Sequence, residues 1–329
     1  MIKKIGWFPG GDKNIASVRV RSYYIINYLK ERGFEISINN PRPDLLVFQK
    51  CLVEEKLSIA LKAKSRGKIL IYDISDNVRS DMEKYIHFFK IAKEFILNAE
   101  KVVVNGIGLK KYFLDRFRKD AIVIEDVYPP EAPPLKKLHY GNNPKLMWHG
   151  YYKNMLMYVF GKLSGDFDIK MWKESKSEKP IDFRKFPYKL ITVSNLSLTP
   201  RILIDHPTYL HPQDYPRLVK LILRGDIGIS PLRIWDEDCF GKSANKIVSY
   251  MMLGIPTVAT PVPAYQNVID NGENGFLAEG KKEWLDAFEK LKDPKIRQKI
   301  GEAGFKSVVK KFSIQTIGQK WLKLLKSIA

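Results

Sequence analysis

Cysteine is nearly absent: Cys51 and Cys239 are the only two in 329 residues. Neither has a second cysteine or a histidine at zinc-finger spacing, which argues against a structural zinc. Two distant thiols make no disulfide framework, and the chain is expected in a reducing, cytoplasmic compartment. Histidine is also scarce, with five residues in no ligand pattern. No window approaches the ~20 apolar residues of a membrane-spanning helix. The N-terminal stretch MIKKIGWFPGG is too short and too quickly interrupted for a secretory signal. Gly-x-Ser-x-Gly, HExxH and Walker A sequences are all missing, so hydrolase, metalloprotease and P-loop chemistry have no basis. There is no low-complexity tract and no repeat shorter than a domain. Acidic residues are outnumbered, 36 against 56 Lys+Arg, for a net charge of +20. Such an excess points to an anionic partner: nucleic acid, a membrane surface or a phosphorylated substrate. A Lys-rich solvated surface would give the same total, because the lysines are spread along the chain.

The chain is 45% apolar and 12% aromatic, enough to bury substantial cores. Its first part alternates short apolar runs (3–8, 34–38, 45–48, 69–72, 102–104, 121–124) with helical patterns (18–32, 54–66, 81–98, 109–118). That alternation predicts a parallel sheet covered by helices on both faces. Residues 126–144 hold five prolines and little apolar periodicity, and read as a linker or a long surface loop. The theme then repeats, with strands expected at 145–148, 190–193, 202–204, 227–230, 257–259 and 276–278. Helices are expected at 215–223, 242–253, 283–292, 294–311 and 314–327. The simplest architecture is α/β, with two Rossmann-like domains facing a central cleft: 1–125 on the acceptor side and 145–312 on the nucleotide side. Residues 313–329 then form a C-terminal helix that returns to the first domain.

The chemistry-bearing residues cluster where strands hand over to helices. Gly10 and Gly11 end the first strand, where glycine permits close backbone approach to a ligand or serves a tight turn. They are not a GxGxxG fingerprint, so nicotinamide binding is unsupported. Arg19 and Arg21 follow, two apart and therefore on different helix faces. Asp73 and Asp76 (YDISDN) close a strand and suit an acceptor-hydroxyl base or a helix cap. His149, Gly150 and Lys153 form a glycine turn with a nearby cation. Lys242 and Lys246 stand four apart, with Ser243 beside them, so one helix face would carry both cations toward a phosphate. Asp236 and Asp238 make a D-x-D that suits a cation or an ordinary polar loop.

The stretch DIGISPL…FGKSANKIVSYMMLGIPTVATPV…YQNVIDNGENGFL, residues 226–277, resembles the donor-binding core of GT-B glycosyltransferases of the retaining family-4 type. Its strand, helix, G-x-P turn and G-x-x-G pieces stand in the family's order through Gly254, Pro256, Val258, Ala259, Gly272 and Gly275. YDISD and WHGYYKN are similar to further family segments. The resemblance implies transfer of a sugar from a nucleoside diphosphate sugar, with retention and with no cofactor or metal. Lys242, Lys246 and Lys153 would neutralise the leaving diphosphate. His149, Gly150, Ser243, Ser249, Gly10 and Gly11 would line the donor site. Asp73, Asp76, Arg19 and Arg21 would serve the acceptor side and the chemistry. Family members usually carry two glutamates eight residues apart, and Gly241 and Ser249 stand at those positions.

Three functions follow as expectations. The first is a cytoplasmic transferase acting on a glycan, a lipid-linked acceptor or a polysaccharide precursor, docked on an anionic membrane face. The second is a GT-B-like binding protein without catalysis, motivated by the missing glutamates. The third is a nucleic-acid-directed glycosyltransferase, carried by charge alone; no helix-turn-helix, RNA-binding or zinc-finger signature supports it.

Overall fold

The computed structural model describes residues 3–77, 83–129, 136–150, 154–161, 181–193, 204–205, 215–234 and 238–328. Two compact units emerge: Met1–Pro129 with Phe240–Ser243 and Lys311–Ala329, and Pro130–Cys239 with Ala244–Lys310.

The first unit is built on a six-stranded parallel sheet of order β2-β1-β3-β4-β5-β6. The strands are β1 (Lys4–Pro9), β2 (Glu35–Ile38), β3 (Leu45–Gln49), β4 (Ile69–Ile74), β5 (Lys101–Val104) and β6 (Ala121–Val123). The central strands are buried on both faces, which is why they read as unbroken apolar runs. Alternation sorts their side chains. Phe8, Phe48, Tyr72 and Val104 face one helical layer, while Trp7, Val47, Ile71 and Val103 face the other. The crossovers are α1 (Ala16–Val18), α2 (Tyr24–Lys30), α3 (Glu54–Lys64), α4 (Glu83–Asn98) and α5 (Ile107–Phe117). The single helix expected over 18–32 is interrupted: Arg19–Tyr23 widens into a π-helical turn between α1 and α2. Such turns recur at functional positions.

The C-terminal helix, Ile314–Lys326, packs on the α2 side of this sheet. Trp321 lies 5.2 Å from Trp7, and Ile317, Leu324 and Leu325 complete the layer. Ser313 caps it by accepting from the Thr316 N–H at 3.2 Å. Gly318 sets how closely it approaches. A β-carbon there would meet the Tyr28 ring at 2.3 Å, and Tyr28 is held from beyond by Arg32, 3.5 Å from its centroid. Gly318→Ala is expected to cost roughly 1–3 kcal/mol through overpacking, read as a lowered urea midpoint with an unchanged m-value.

The second unit repeats the plan with order β12-β11-β10-β7-β8-β9, again all parallel. Its strands are β7 (Leu146–His149), β8 (Leu190–Val193), β9 (Ile204–Asp205), β10 (Ile227–Ser230), β11 (Thr257–Ala259) and β12 (Phe276–Leu277). Part of the strand expected at 202–204 lies outside the described residues. Helices α6 (Tyr215–Ile222), α7 (Asp238–Gly241), α8 (Asn245–Met251), α9 (Pro263–Gln266), α10 (Gly280–Lys290) and α11 (Pro294–Lys311) accompany these strands in chain order. The first residues of the 136–144 stretch are stitched into this unit. Lys137 reaches the Leu223 carbonyl at 2.7 Å and Asp226 at 3.0 Å, and His139 Nε2 meets the Gly254 carbonyl at 2.9 Å. Arg297, fully buried, donates to the carbonyls of Leu291, Lys292, Tyr140 and Gly141 at 2.6–2.9 Å.

Candidate functional site

In each sheet the chain starts at a central strand, runs to one edge, and then crosses back to the starting strand's other side. Crevices therefore open at the carboxyl ends of β1 and β3 in one unit and of β7 and β10 in the other. Open parallel sheets bind ligands at such switch points.

At the second switch point the loop after β7 meets α8. His149 ends the strand, buried, with its ring edge-on to Tyr250 at 5.1 Å. The Tyr250 hydroxyl accepts from the His149 N–H at 3.1 Å and donates to the Ile229 carbonyl at 3.5 Å, so it ties β7 to β10. Gly228 makes room for this tyrosine; a β-carbon there would lie 2.4 Å from its ring. Burial, with help from nearby Lys246, pushes the His149 imidazole down to about 3. The ring is therefore neutral at physiological pH, and its Nε2 has no hydrogen-bond partner among the described residues.

Gly150 follows. A β-carbon here would press into the Trp148 ring at 2.6 Å and lie 3.2 Å from the Lys246 ammonium, so glycine lets the turn close over the indole. Lys246, in the first turn of α8, holds its Nζ 4.4 Å from the Trp148 ring centroid. The ring's negative face fixes the cation at the end of β7. His149, Gly150 and Lys246 are thus brought together at the end of β7, and Lys153 lies outside the described residues.

The idea that Lys242 and Lys246 share a helix face needs correction. The helix expected over 242–253 is broken: α7 ends at Gly241, residues 242–244 are non-helical, and α8 begins at Asn245. Lys242 and Ser243 are half-buried in that break, and Phe240–Ser243 pack with the first unit. The physical reason sits at Gly241. A β-carbon there would lie 2.5 Å from the Asn77 backbone nitrogen, so no larger side chain, glutamate included, fits without a shift. The Gly241 carbonyl also accepts from Asn105 Nδ2 at 3.5 Å. Ser249 is buried, and its hydroxyl is turned back on its own helix, to the carbonyls of Asn245 at 2.6 Å and Lys246 at 3.0 Å. Its proton is thereby committed, and only an acceptor lone pair is left for a ligand.

Sequence reasoning passed over Arg233. This arginine, three residues past β10, is 4% exposed. Backbone turns around it are fixed by Thr260 Oγ1, which accepts from the Leu232 N–H at 2.9 Å. A basic residue among apolar neighbours (PLRIW) is the signal that was available. Asp236 and Glu237 lie outside the described residues.

At the first switch point Gly10 lies against the carbonyls of Gln49 and Lys50, which a β-carbon would meet at 2.5 and 2.6 Å. Its N–H donates to Gln49 Oε1 at 3.2 Å. Gly11 faces the side chain of Ile15. Arg19 is buried and donates to the carbonyls of Lys13 at 3.4 Å and Asn14 at 3.2 Å, so it braces the loop after β1. Arg21 and Asp73 are partners. The guanidinium binds both Asp73 oxygens, the Ile124 carbonyl at 3.1 Å and Asp126 Oδ1 at 2.6 Å. Asp73 is completely buried, because its place in β4 turns it inward beside Ile71. A carboxylate so enclosed reads as a structural ion partner rather than a base open to an acceptor. Asp76, half exposed, pairs with Lys50, whose backbone is left-handed at φ 47°.

Residues 198–293 match the model of the family described as Glycosyl transferases group 1. Solved structures resemble the whole chain. Anabaena HepE, solved with UDP and glucose, superposes with a TM-score of 0.64 at 14% identity, covering 99% of this chain and 100% of that one. Sucrose-phosphate synthase from Thermosynechococcus elongatus gives 0.64 at 12%, with 99% of each covered. S. aureus TarM, solved as a point mutant with fondaparinux, α-GlcNAc-glycerol and UDP, gives 0.56 at 13%, covering 85% of this chain and 55% of that one. The chain has the GT-B glycosyltransferase fold. No curated protein sequence matches it. The matched segment takes in β10, α8 and β11, so Arg233, Lys246 and Ser249 lie within it, while His149 and Gly150 reach the same crevice from outside it.

Proposed function

We propose that this GT-B protein transfers a sugar from a nucleoside diphosphate sugar to a glycan, glycolipid or polysaccharide-precursor acceptor, with retention and without a metal. The observation that carries the reading is the placement of the Lys246 ammonium over Trp148, beside Gly150, at a switch point whose β10 and α8 side lies in the group 1 segment. A fixed cation there meets charge that grows on a departing diphosphate. HepE and TarM were each solved with UDP, which makes uridine the first base to test. Docking on an anionic membrane face, through part of the +20 excess, belongs to the same reading.

Nucleotide sugars are expected to stabilise the protein. At a hundred times the dissociation constant the gain is about 2.7 kcal/mol, visible as a thermal shift that EDTA leaves in place. Proton NMR of the product should show the donor's anomeric configuration. No shift with any uridine, guanosine, adenosine or thymidine diphosphate sugar would sink the proposal.

A second reading, binding without turnover, is favoured by Gly241, where the Asn77 backbone leaves no space for the family's glutamate. Donor hydrolysis by the purified protein separates the two: any enzyme-dependent release of nucleotide excludes the inactive reading.

A further inference from the structure

The two helical layers of the first unit differ in what they show to solvent. Among the described residues, α2 and the C-terminal helix expose no large apolar side chain. The opposite layer exposes Leu61 on α3, Ile86, Phe88 and Leu97 on α4, and Ile107 and Leu114 on α5. These helices are neighbours: α3 packs on α4 and α4 on α5, with Phe89 and Phe117 in ring contact at 6.0 Å. Exposed apolar groups thus stand on three adjacent helices of one layer.

Cations are set among them at helical spacing. On α4 the outward stripe reads Ile86, Lys90, Lys93, Leu97, at i, i+4, i+7 and i+11, with all four exposed. The core-facing side of that helix is Ile91, Ala92, Phe95 and Ile96. On α5 Ile107, Lys111 and Leu114 repeat the pattern, and exposed Arg118 stands at the cap. Carboxylates flank these stripes: Glu94 is turned toward Asn98 Nδ2 at 3.3 Å, Asp115 is exposed beside Leu114, and Glu54 on α3 lies 4.0 Å from His87. A helix with one face in the core and an outer stripe of aliphatic and basic residues suits a surface that is anionic outside and apolar just beneath.

We propose that the outer face of α3, α4 and α5 docks on an anionic lipid bilayer. Ile86, Leu97, Ile107 and Leu114 would enter the headgroup boundary, and Lys90, Lys93 and Lys111 would meet lipid phosphates. The proposal deepens the membrane-docking part of the function above and rests on that part, not on the donor chemistry. No described helix is long and apolar enough to cross a membrane. Charge selects the occupant: lysines placed between aliphatic side chains complement an anionic bilayer, whereas a neutral bilayer would leave them without counter-charge.

The test is co-sedimentation of the full chain with vesicles of phosphatidylcholine containing about a third phosphatidylglycerol, at low salt. Binding is expected, with none to pure phosphatidylcholine. A basic residue near such a surface contributes roughly fivefold in partitioning. Lys90→Glu with Lys93→Glu should therefore lower partitioning at least about tenfold, and Ile86→Ser with Leu97→Ser should lower it as well. Lys3→Glu with Lys4→Glu, away from this face, should do markedly less. Absence of binding to the anionic vesicles overturns the proposal, as does equal loss in the Lys3/Lys4 control. It also fails if the α4 variants bind like the parent, or if a lipid-free dimer dissociates in those variants. Donor hydrolysis and far-UV circular dichroism, measured on the same proteins, report the sugar-transfer reading and the fold independently.

Discussion

Replacing Arg21 with methionine is expected to destabilise the protein by about 3–5 kcal/mol, the usual consequence of leaving a buried charge without its partner. Two carboxylates bind this guanidinium, Asp73 and Asp126, and both are buried with it. The methionine would fill most of the volume, so the loss comes from uncompensated charge and not from a cavity. Measured by urea unfolding, the effect should far exceed that of Gly318→Ala. Combining Arg21→Met with Asp73→Leu should recover part of the loss, because it removes one of the two buried carboxylates that faced the guanidinium. A double variant no more stable than Arg21→Met would show that the cluster is not what the arginine supports.

The pH dependence has a definite sign. Burial raises the Asp73 carboxyl above its ordinary range, and Arg21 opposes that rise by charge and hydrogen bonds. Burial would lower Arg21 in turn, but Asp73 and Asp126 outweigh it and hold the guanidinium charged. Removing Arg21 leaves the burial of Asp73 unopposed, so its folded pKa climbs further above the unfolded value near 3.9. A native state that keeps a proton the unfolded chain releases loses stability as pH rises between those two values. The cost of Arg21→Met should therefore be smaller near pH 5 than at pH 7.5. A cost that is flat, or larger in acid, would contradict the linkage.

The architecture was legible because parallel strands buried on both faces leave unbroken apolar runs, as at 45–48, 69–72 and 145–148. Glycines at strand ends, Gly10 and Gly150, marked both switch points for the same reason: only a residue without a side chain lets backbone close over backbone or over the Trp148 ring. What sequence spacing cannot carry is long-range pairing. Arg21 finds its partners 52 and 105 residues away, and the parity of β4 decides that Asp73 points inward while nearby Asp76 reaches Lys50 in a half-exposed pair. The break at 242–244 was hidden as well, because KSANKIVSYMM has helical apolar spacing; the close approach of Asn77 to Gly241 is a tertiary fact that propensity does not encode. Arg233 passed for an ordinary loop residue because burial of a charge is decided by what folds over it.

Lys246→Met is expected to lower kcat for sugar transfer by roughly 10²–10³-fold, the range seen when one preorganised donor to a developing anion is removed. The expectation follows from how the ammonium is held. The Trp148 ring and the Gly150 turn place it at the end of β7, and burial with this same cation keeps His149 neutral, so the two side chains do not compete as charges. A cation positioned before the bond breaks needs no reorganisation as the diphosphate departs, and its effect therefore falls on kcat more than on donor affinity. The structural side of the substitution is small, about 0.5–2 kcal/mol for the lost cation–π contact, so the variant should stay folded at assay temperature. Lys246→Arg is expected to restore only part of the rate, because a planar guanidinium over the indole presents its donors differently from an ammonium. Ser249→Ala, by contrast, should change kcat by only a few fold, since its hydroxyl is already spent on the turn above it. If Lys246→Met kept more than half of the parental kcat with normal donor binding, the ammonium would have no part in the transition state, and Arg233 would be the next cation to test.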